Sequence, residues 1–209
     1  MVTLQLTNFQ VDALNEVGNI GIGSATTALS QLVDKRVQIS LTHVQLIDSA
    51  SIIANIPDSI TMTGMLVRMM GDIQGAMLFL FEFKNSVVLS DILLKGTKYE
   101  TDPNMHQSAL GEVGNILTGA YLNALQKFLD IAIVPSIPHI ATGSITEVME
   151  EASAEAGRDI DNILSIESMF MVHSVEHESG LNTIYGDMFL LLDAKSLQTV
   201  LDAIDNLMG

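Results

Sequence analysis

The sequence has no cysteine, no tryptophan and only four prolines among its 209 residues. Without cysteine, the chain can form neither disulfides nor thiolate metal sites, and it offers no thiol nucleophile. Its apolar stretches, such as residues 76–81, are far shorter than the roughly 20 residues that a membrane-spanning helix needs. We therefore expect a soluble globular protein and exclude cysteine-dependent enzymes.

Basic residues are also scarce. The 9 Lys and Arg face 25 Asp and Glu, which gives a net charge of -16. Such a surface repels a phosphate backbone and attracts basic protein surfaces, so neither nucleic acid nor a membrane is an expected partner. Residues 1–5 contain no basic segment that leads into an apolar stretch, and no secretory signal is predicted. A cytoplasmic location is the resulting expectation.

An internal repeat organises the chain. Residues 12–44 align without gaps with residues 108–140, and 13 of the 33 aligned positions are identical. After a length difference the correspondence resumes, with Gly75, Met77, Leu80, Lys84 and Asp91 matched by Gly186, Met188, Leu191, Lys195 and Asp202. The repeats therefore extend over about residues 7–98 and 102–209.

Each repeat predicts a long helix, an extended segment, a pair of strands and a short helix. The first long helix starts with a capping box at Thr7 and Gln10, and the second starts with Asp102 followed by Pro103. The predicted strands cover residues 37–44, 65–70, 76–83, 131–140, 163–172 and 182–192, and the short helices cover residues 85–94 and 194–208. The pattern of residues 146–161 does not decide between helix and loop.

The fold class follows from the size of each half. With only about three strands and one covered face, neither half would bury its core well alone. We therefore predict an α+β fold in which residues 1–209 form a single pseudo-twofold domain. Two αβββα-like repeats would share a joint β-sheet core, with the two long helices on its surface.

A polar stripe runs along each long helix. At about 100° per residue, Asp12, Glu16, Asn19 and Gly23 fall within about 60° around the helix axis. The opposite side carries Leu14, Val17, Ala25, Ala28 and Leu32. The second helix repeats the stripe as Ser108, Glu112, Asn115 and Gly119, with Leu110, Val113, Leu122, Leu125 and Leu129 behind it. Both stripes are predicted to face solvent.

A single Glu-x-x-Asn on a helix is most often an ordinary solvated surface. Duplication favours a functional interpretation, because Glu and Asn stay in register while neighbouring polar positions differ. An Asn amide can both accept from and donate to one water and so hold it in line with a phosphorus atom. A Glu can pair with a cationic side chain of a partner. The pattern of histidines does not predict a metal site, and no cofactor of its own is expected.

The stripes are similar to the signature of the CheC family, which is related to the phosphatases CheX and FliY. That signature is Asp or Ser, three residues, Glu, two residues, Asn, twenty-two residues and Pro. The second copy matches it in full as Ser108, Glu112, Asn115 and Pro138, whereas the first matches as Asp12, Glu16 and Asn19, with Thr42 at the proline position. Two Glu/Asn pairs resemble CheC more than CheX, which has one.

The resemblance implies a phosphatase that hydrolyses the aspartyl phosphate of the chemotaxis response regulator CheY. Asn19 and Asn115 would orient the attacking water, and Glu16 and Glu112 would contact a lysine of the regulator. Asp12, Ser108 and Pro138 would support the motif. The magnesium ion would belong to the regulator, and the receptor deamidase CheD is a possible further partner.

Two other functions remain open from the sequence. The first is a non-catalytic interaction module that regulates CheD or forms part of a flagellar switch. The second is a generic metal-dependent hydrolase, which the absence of a clustered His and carboxylate motif disfavours.

Overall fold

A computed structural model describes residues 6–34, 36–100, 102–157, 162–173 and 181–208. The helices are α1 (Asn8–Val33), α2 (Ser49–Asn55), α3 (Phe83–Leu94), α4 (Pro103–Leu129), α5 (Ile145–Ala156) and α6 (Ala194–Asp205), which continues into a 3-10 turn at Asn206–Met208. The strands are β1 (Val37–Ile47), β2 (Met62–Gly71), β3 (Gly75–Glu82), β4 (Ile133–Pro135), β5 (His139–Gly143), β6 (Asn162–His173) and β7 (Leu181–Leu192). Within these ranges, no helix combines the length and the hydropathy needed to span a bilayer.

The strands form one antiparallel sheet in the order β1-β6-β7-β3-β2-β4, and β5 pairs with β2 beside β4. The two halves of the chain are interleaved in this sheet. The first strand of the first half, β1, pairs with β6 of the second half, and β4 and β5 of the second half pair with β2 of the first. Strands β3 and β7 join the halves at the centre. The predicted α+β fold with a joint sheet is therefore confirmed.

Helices cover both faces of the sheet. Alternate residues of a strand point to opposite faces, so Met77 and Phe79 of β3 belong to a core with α1, α3, α4 and α6. Leu78 and Leu80 belong to a second core with α2 and α5. Because both faces are packed, strands such as β3 consist of nearly continuous apolar residues.

The predicted helix starts are confirmed. The Thr7 hydroxyl accepts a hydrogen bond from the Gln10 backbone N–H at 3.2 Å, and the Gln10 side chain accepts one from the Thr7 N–H at 3.0 Å. The Asp102 carboxylate caps α4, with Pro103 at its first turn. Both long helices end at a repeat-matched aspartate in the left-handed region, Asp34 with φ 49° and Asp130 with φ 52°. Because Asp tolerates this conformation better than most residues, the duplicated Asp suits a helix end.

Some element predictions need correction. Residues 131–140 do not form one strand, because the segment 136–138 interrupts it and Pro135 and Pro138 cannot donate to a strand ladder. The short helix α2 was not predicted, and Phe83 begins α3 instead of ending β3. Residues 145–156 are helical, with a capping box between Ser144 and Glu147.

Candidate functional site

Most of both polar stripes are exposed. On α1, Asp12, Glu16, Asn19 and Gly23 are exposed, and on α4 so are Ser108, Glu112 and Asn115, while Gly119 is half-buried. The opposite sides of the helices are buried at Leu14, Val17, Ala25, Leu110, Val113, Leu122, Leu125 and Leu129. Two predicted core residues differ: Ala28 is half-buried and Leu32, in the last turn of α1, is 43% exposed. Burial of the apolar sides of α1 and α4 therefore directs both Glu-x-x-Asn motifs toward solvent.

The two long helices pack against each other at a very close approach. A Cβ atom built on Gly21 of α1 would lie 2.9 Å from the Cα of Tyr121 on α4. Only glycine allows the backbones to come so near at this position. Because α1 and α4 lie on the same face of the sheet, both stripes occupy the outer surface of one helical layer.

The motif proline lies beside the second Glu/Asn pair. A Cβ atom built on Gly114 would be 3.5 Å from Cβ and Cγ of Pro138, at ordinary contact distance. Gly114 precedes Asn115 directly, so Pro138 packs against the turn of α4 that carries the pair. In the first half, Gly18 is buried at the equivalent position, and the side chain of Thr42 is outside the part of the structure that is described.

The β4–β5 connection next to Pro138 is held by hydrogen bonds. The Ser136 N–H donates to the Arg68 carbonyl at 2.9 Å, and the Ser136 hydroxyl accepts from the Arg68 N–H at 3.0 Å. The neighbouring Ile137 is 87% exposed, and Ile20 next to Asn19 is 47% exposed. Sequence reasoning missed Ile137 because it stood inside an apolar run that was read as a strand. Its position between two prolines was the available signal.

The four motif side chains are unengaged within the described part of the molecule. No hydrogen bond or ion pair with a described residue involves the side chains of Glu16, Asn19, Glu112 or Asn115. The Ser108 hydroxyl donates to the Asn104 carbonyl at 3.1 Å within its own helix. Cβ atoms on Gly23 and Gly119 would have nothing within 4 Å. Each stripe therefore offers an exposed carboxylate, an exposed amide and a glycine with open space at its Cβ position.

The described residues contain no group of three or more His, Asp or Glu side chains that could hold a metal ion. His139 instead contacts Glu151, with Nε2 2.8 Å from Oε2. The side chain of its repeat partner His43 is outside the described part of the structure.

Solved structures with this architecture define the class of fold. The crystal structure of FliY from Thermotoga maritima matches with a TM-score of 0.73 at 18% identity and covers 99% of each chain. A chain of the FliM–SpeE complex from H. pylori matches with a TM-score of 0.65 at 13% identity, over 96% of this chain and 97% of that one. CheX from Desulfovibrio desulfuricans matches with a TM-score of 0.53 at 15% identity, over 85% and 99%. At these identities the likeness concerns the fold alone.

Sequence comparison identifies one protein family within this class of fold that the chain resembles. Residues 9–40 and 105–140 match the CheC-like family model, and each matched segment contains one Glu-x-x-Asn pair. The CheY-P phosphatase CheC of Bacillus subtilis is 26% identical over 204 residues, which is 93% of either chain. The flagellar motor switch phosphatase FliY of the same organism is 27% identical over 145 residues, 68% of this chain but only 38% of that protein. The resemblance to the CheC family is thus confirmed.

Proposed function

We propose that this protein is a phosphatase that hydrolyses the aspartyl phosphate of a CheY-type response regulator. The observation that carries the proposal is the pair of exposed Glu-x-x-Asn motifs, each inside a segment that matches the CheC-like family model. Two relatives bear names that support the same reaction, since one is a CheY-P phosphatase and the other a flagellar motor switch phosphatase.

In the proposed reaction, Asn19 or Asn115 holds the attacking water. The amide carbonyl accepts a hydrogen from the water while the amide N–H donates to its oxygen, which points a lone pair at the phosphorus atom. The new bond forms between the water oxygen and phosphorus, the bond to the aspartyl oxygen breaks, the aspartate leaves as a carboxylate, and both hydrogens of the water stay on the released phosphate. Asn takes up no proton, because its contribution is positioning, which is a large part of catalysis in phosphoryl transfer.

Glu16 and Glu112 have a docking role in this proposal. Each lies one helical turn before its Asn, so a lysine of the regulator that pairs with Glu would place the phosphorylated aspartate near the amide. The net charge of -16 would draw a basic face of the regulator toward the helices. The magnesium ion of the reaction would come with the regulator as part of the substrate.

The supporting residues act through the helix backbone. The Ser108 hydroxyl bonds to the carbonyl four residues earlier, and Pro138 packs on Gly114. We assign Ser108, Pro138 and the exposed Asp12 to positioning the motif. The uncovered backbone at Gly23 and Gly119 would let the regulator approach closely.

The rival function is a non-catalytic interaction module, in a flagellar switch or as a regulator of CheD. The observation in its favour is that FliM, found in complexes with SpeE and FliG, has the same fold. Fold alone does not distinguish the two functions. The exposed Glu/Asn pairs favour the phosphatase, because a docking surface does not need a water-positioning amide beside each docking carboxylate.

The test separates binding from turnover. The cognate regulator is phosphorylated with a small-molecule phosphodonor, and its decay is followed with and without the protein, while binding is measured with a beryllofluoride-activated regulator. We expect accelerated decay from the wild-type protein. The double variant Glu16→Gln with Glu112→Gln should bind more weakly. Binding without acceleration would establish the interaction module instead.

A further inference from the structure

A cavity of about 350 Å³ lies between α3, the first half of α4 and strands β2 and β5. Its apolar lining includes Phe83, Leu110 and Ile140, and its hydroxyl lining includes Thr63, Ser86 and Ser90. The volume falls at the lower end of the roughly 300–1,000 Å³ typical of small-molecule sites. It is separate from the exposed motif residues, none of which lines it.

The internal repeat explains why this space is open. Ser86 and Ser90 of α3 correspond to Leu197 and Leu201 of α6, because the two short helices align at a constant offset. Those leucines are only 2% and 4% exposed and belong to the core on the face of the sheet covered by the long helices. The second half of the chain therefore fills the corresponding space with two leucine side chains. The first half has two serines there and leaves a cavity.

The hydroxyl groups define what the cavity can bind. Ser86 donates its single hydroxyl proton to the Phe83 carbonyl at 2.8 Å, so the Thr63 hydroxyl, 2.9 Å away, must donate to Ser86. The Ser90 hydroxyl lies 2.9 Å from two acceptors, the Val87 carbonyl and Nδ1 of His106, so its proton is engaged as well. These three oxygen atoms have used their protons and present acceptor lone pairs. In the buried part of the cavity, where these three residues lie, a complementary ligand carries a hydrogen-bond donor.

The cavity lining also favours an uncharged ligand. No Asp, Glu, Lys or Arg is among the described residues that line it. His106 also lines the cavity, and a neutral imidazole satisfies both of its contacts, because Nε2 donates to the Glu100 carbonyl at 3.1 Å and Nδ1 accepts from the Ser90 hydroxyl at 2.9 Å. A charged group inside would find no opposite charge to offset its loss of hydration.

We propose that this cavity is a binding site for a compact, uncharged molecule with an aromatic or branched apolar body and one hydroxyl or N–H donor. The apolar body lies among Phe83, Leu110 and Ile140, and the donor reaches the Thr63 and Ser86 oxygens. The proposal stands independently of the phosphatase activity, because it rests on the divergence between the two repeats.

The test uses phenol as the probe, with methyl-region NMR of the isotope-labelled full-length protein. We expect phenol to shift the methyl signals of Val87, Leu110 and Ile140 in a saturable manner. Anisole has a similar ring but no donor, and benzoate is charged, so both should bind at least several-fold more weakly. Absence of a saturable shift with phenol, or equal binding of anisole, would overturn the assignment.

Variants locate the site. Ser90→Leu copies the residue of the second repeat and should abolish the phenol-dependent shifts, whereas Ser90→Ala keeps the space and should retain them. If Ser90→Leu does not fold, Thr142→Phe tests the same point, because Thr142 is an exposed residue of β5 at the cavity. Unchanged phenol shifts in a folded Ser90→Leu or Thr142→Phe variant would contradict the proposal.

Discussion

Pro138 lies against Gly114, close enough that a Cβ atom on the glycine would be 3.5 Å from two atoms of the proline ring. This contact joins two parts of the motif that are far apart in sequence. Glu112 and Asn115 flank Gly114 on one helix, and Pro138 ends the β4–β5 connection directly before strand β5. The proline therefore supports the helical turn that carries the proposed catalytic pair.

The first prediction concerns Pro138. In an Asn19→Ala background, where only the second motif has its amide, Pro138→Ala should slow regulator dephosphorylation by about tenfold, since small displacements of positioned groups carry large rate costs. The affinity for the regulator should change by a smaller factor than the rate. Pro135→Ala, at an exposed position of strand β4, is the matched control and should keep the rate. If Pro138→Ala leaves the rate of dephosphorylation unchanged, Pro138 does not position the Glu112/Asn115 pair.

The second prediction compares two helical glycines. Gly21→Ala places a methyl group 2.9 Å from the Tyr121 Cα and should lower the free energy of unfolding by about 1–3 kcal/mol, because backbone cannot move aside cheaply. Gly114→Ala meets its neighbours at ordinary contact distance and should raise it by about 0.5–1 kcal/mol through helix propensity. Urea denaturation measures both. Equal effects would show that α1 and α4 do not depend on the close approach.

The third prediction concerns the glycines of the stripes. Gly23→Ala combined with Gly119→Ala should stabilise the helices, since nothing lies within 4 Å of either new methyl group. The same variant should bind the phosphorylated regulator more weakly if the partner approaches the backbone there. Gly111→Ala also has no neighbour within 4 Å and lies outside the four stripe positions, so it is the control for stability without a docking effect. If the double variant binds the phosphorylated regulator as tightly as the wild-type protein does, Gly23 and Gly119 do not lie in the interface.

The fourth prediction concerns the buried hydroxyl of Tyr121, which has no hydrogen-bond partner among the described residues. Tyr121→Phe should raise the free energy of unfolding by about 1 kcal/mol near neutral pH, because an unpartnered polar atom is removed from the core. Burial raises the pKa of Tyr121 well above its ordinary value of 10. The unfolded chain therefore loses this proton first, so wild-type stability should fall as pH rises above about 10.

Denaturation at several alkaline pH values tests this linkage. The stability difference between Tyr121→Phe and wild type should grow above pH 10, by up to about 1.4 kcal/mol per pH unit. The other tyrosines are present in both proteins, so their contributions cancel in the comparison. A difference independent of pH would mean that the Tyr121 hydroxyl reaches solvent or a partner.

Sequence reasoning predicted the elements that have strong local signals. The Thr7–Gln10 capping box, the Asp102–Pro103 start and the outward stripes all depend on residues within one helix. The pairing of β1 with β6 was out of reach, because it depends on contacts between residues more than a hundred positions apart. Helix α2 is too short to show periodicity.

Other features had signals that were not used. The capping box of Ser144 and Glu147 could have decided that residues 145–156 are helical, and Pro135 with Pro138 could have divided the predicted strand. The repeat alignment also contains a signal for the cavity beside Ser86 and Ser90, because these two serines align with two leucines of the second half. The cavity itself depends on both short helices packing on the same face of the sheet, which the sequence alone does not show.

The most direct test of the proposed function is the decay of the phosphorylated cognate regulator with wild-type protein, Asn19→Ala, Asn115→Ala, the double variant and Asn55→Ala. Asn55 is an exposed asparagine of α2, which packs on the opposite face of the sheet from α1 and α4, and serves as the control. Each single variant should retain part of the acceleration, the control all of it, and the folded double variant none. A folded double variant that still accelerates decay would contradict the assignment of the two asparagines as the water-positioning residues.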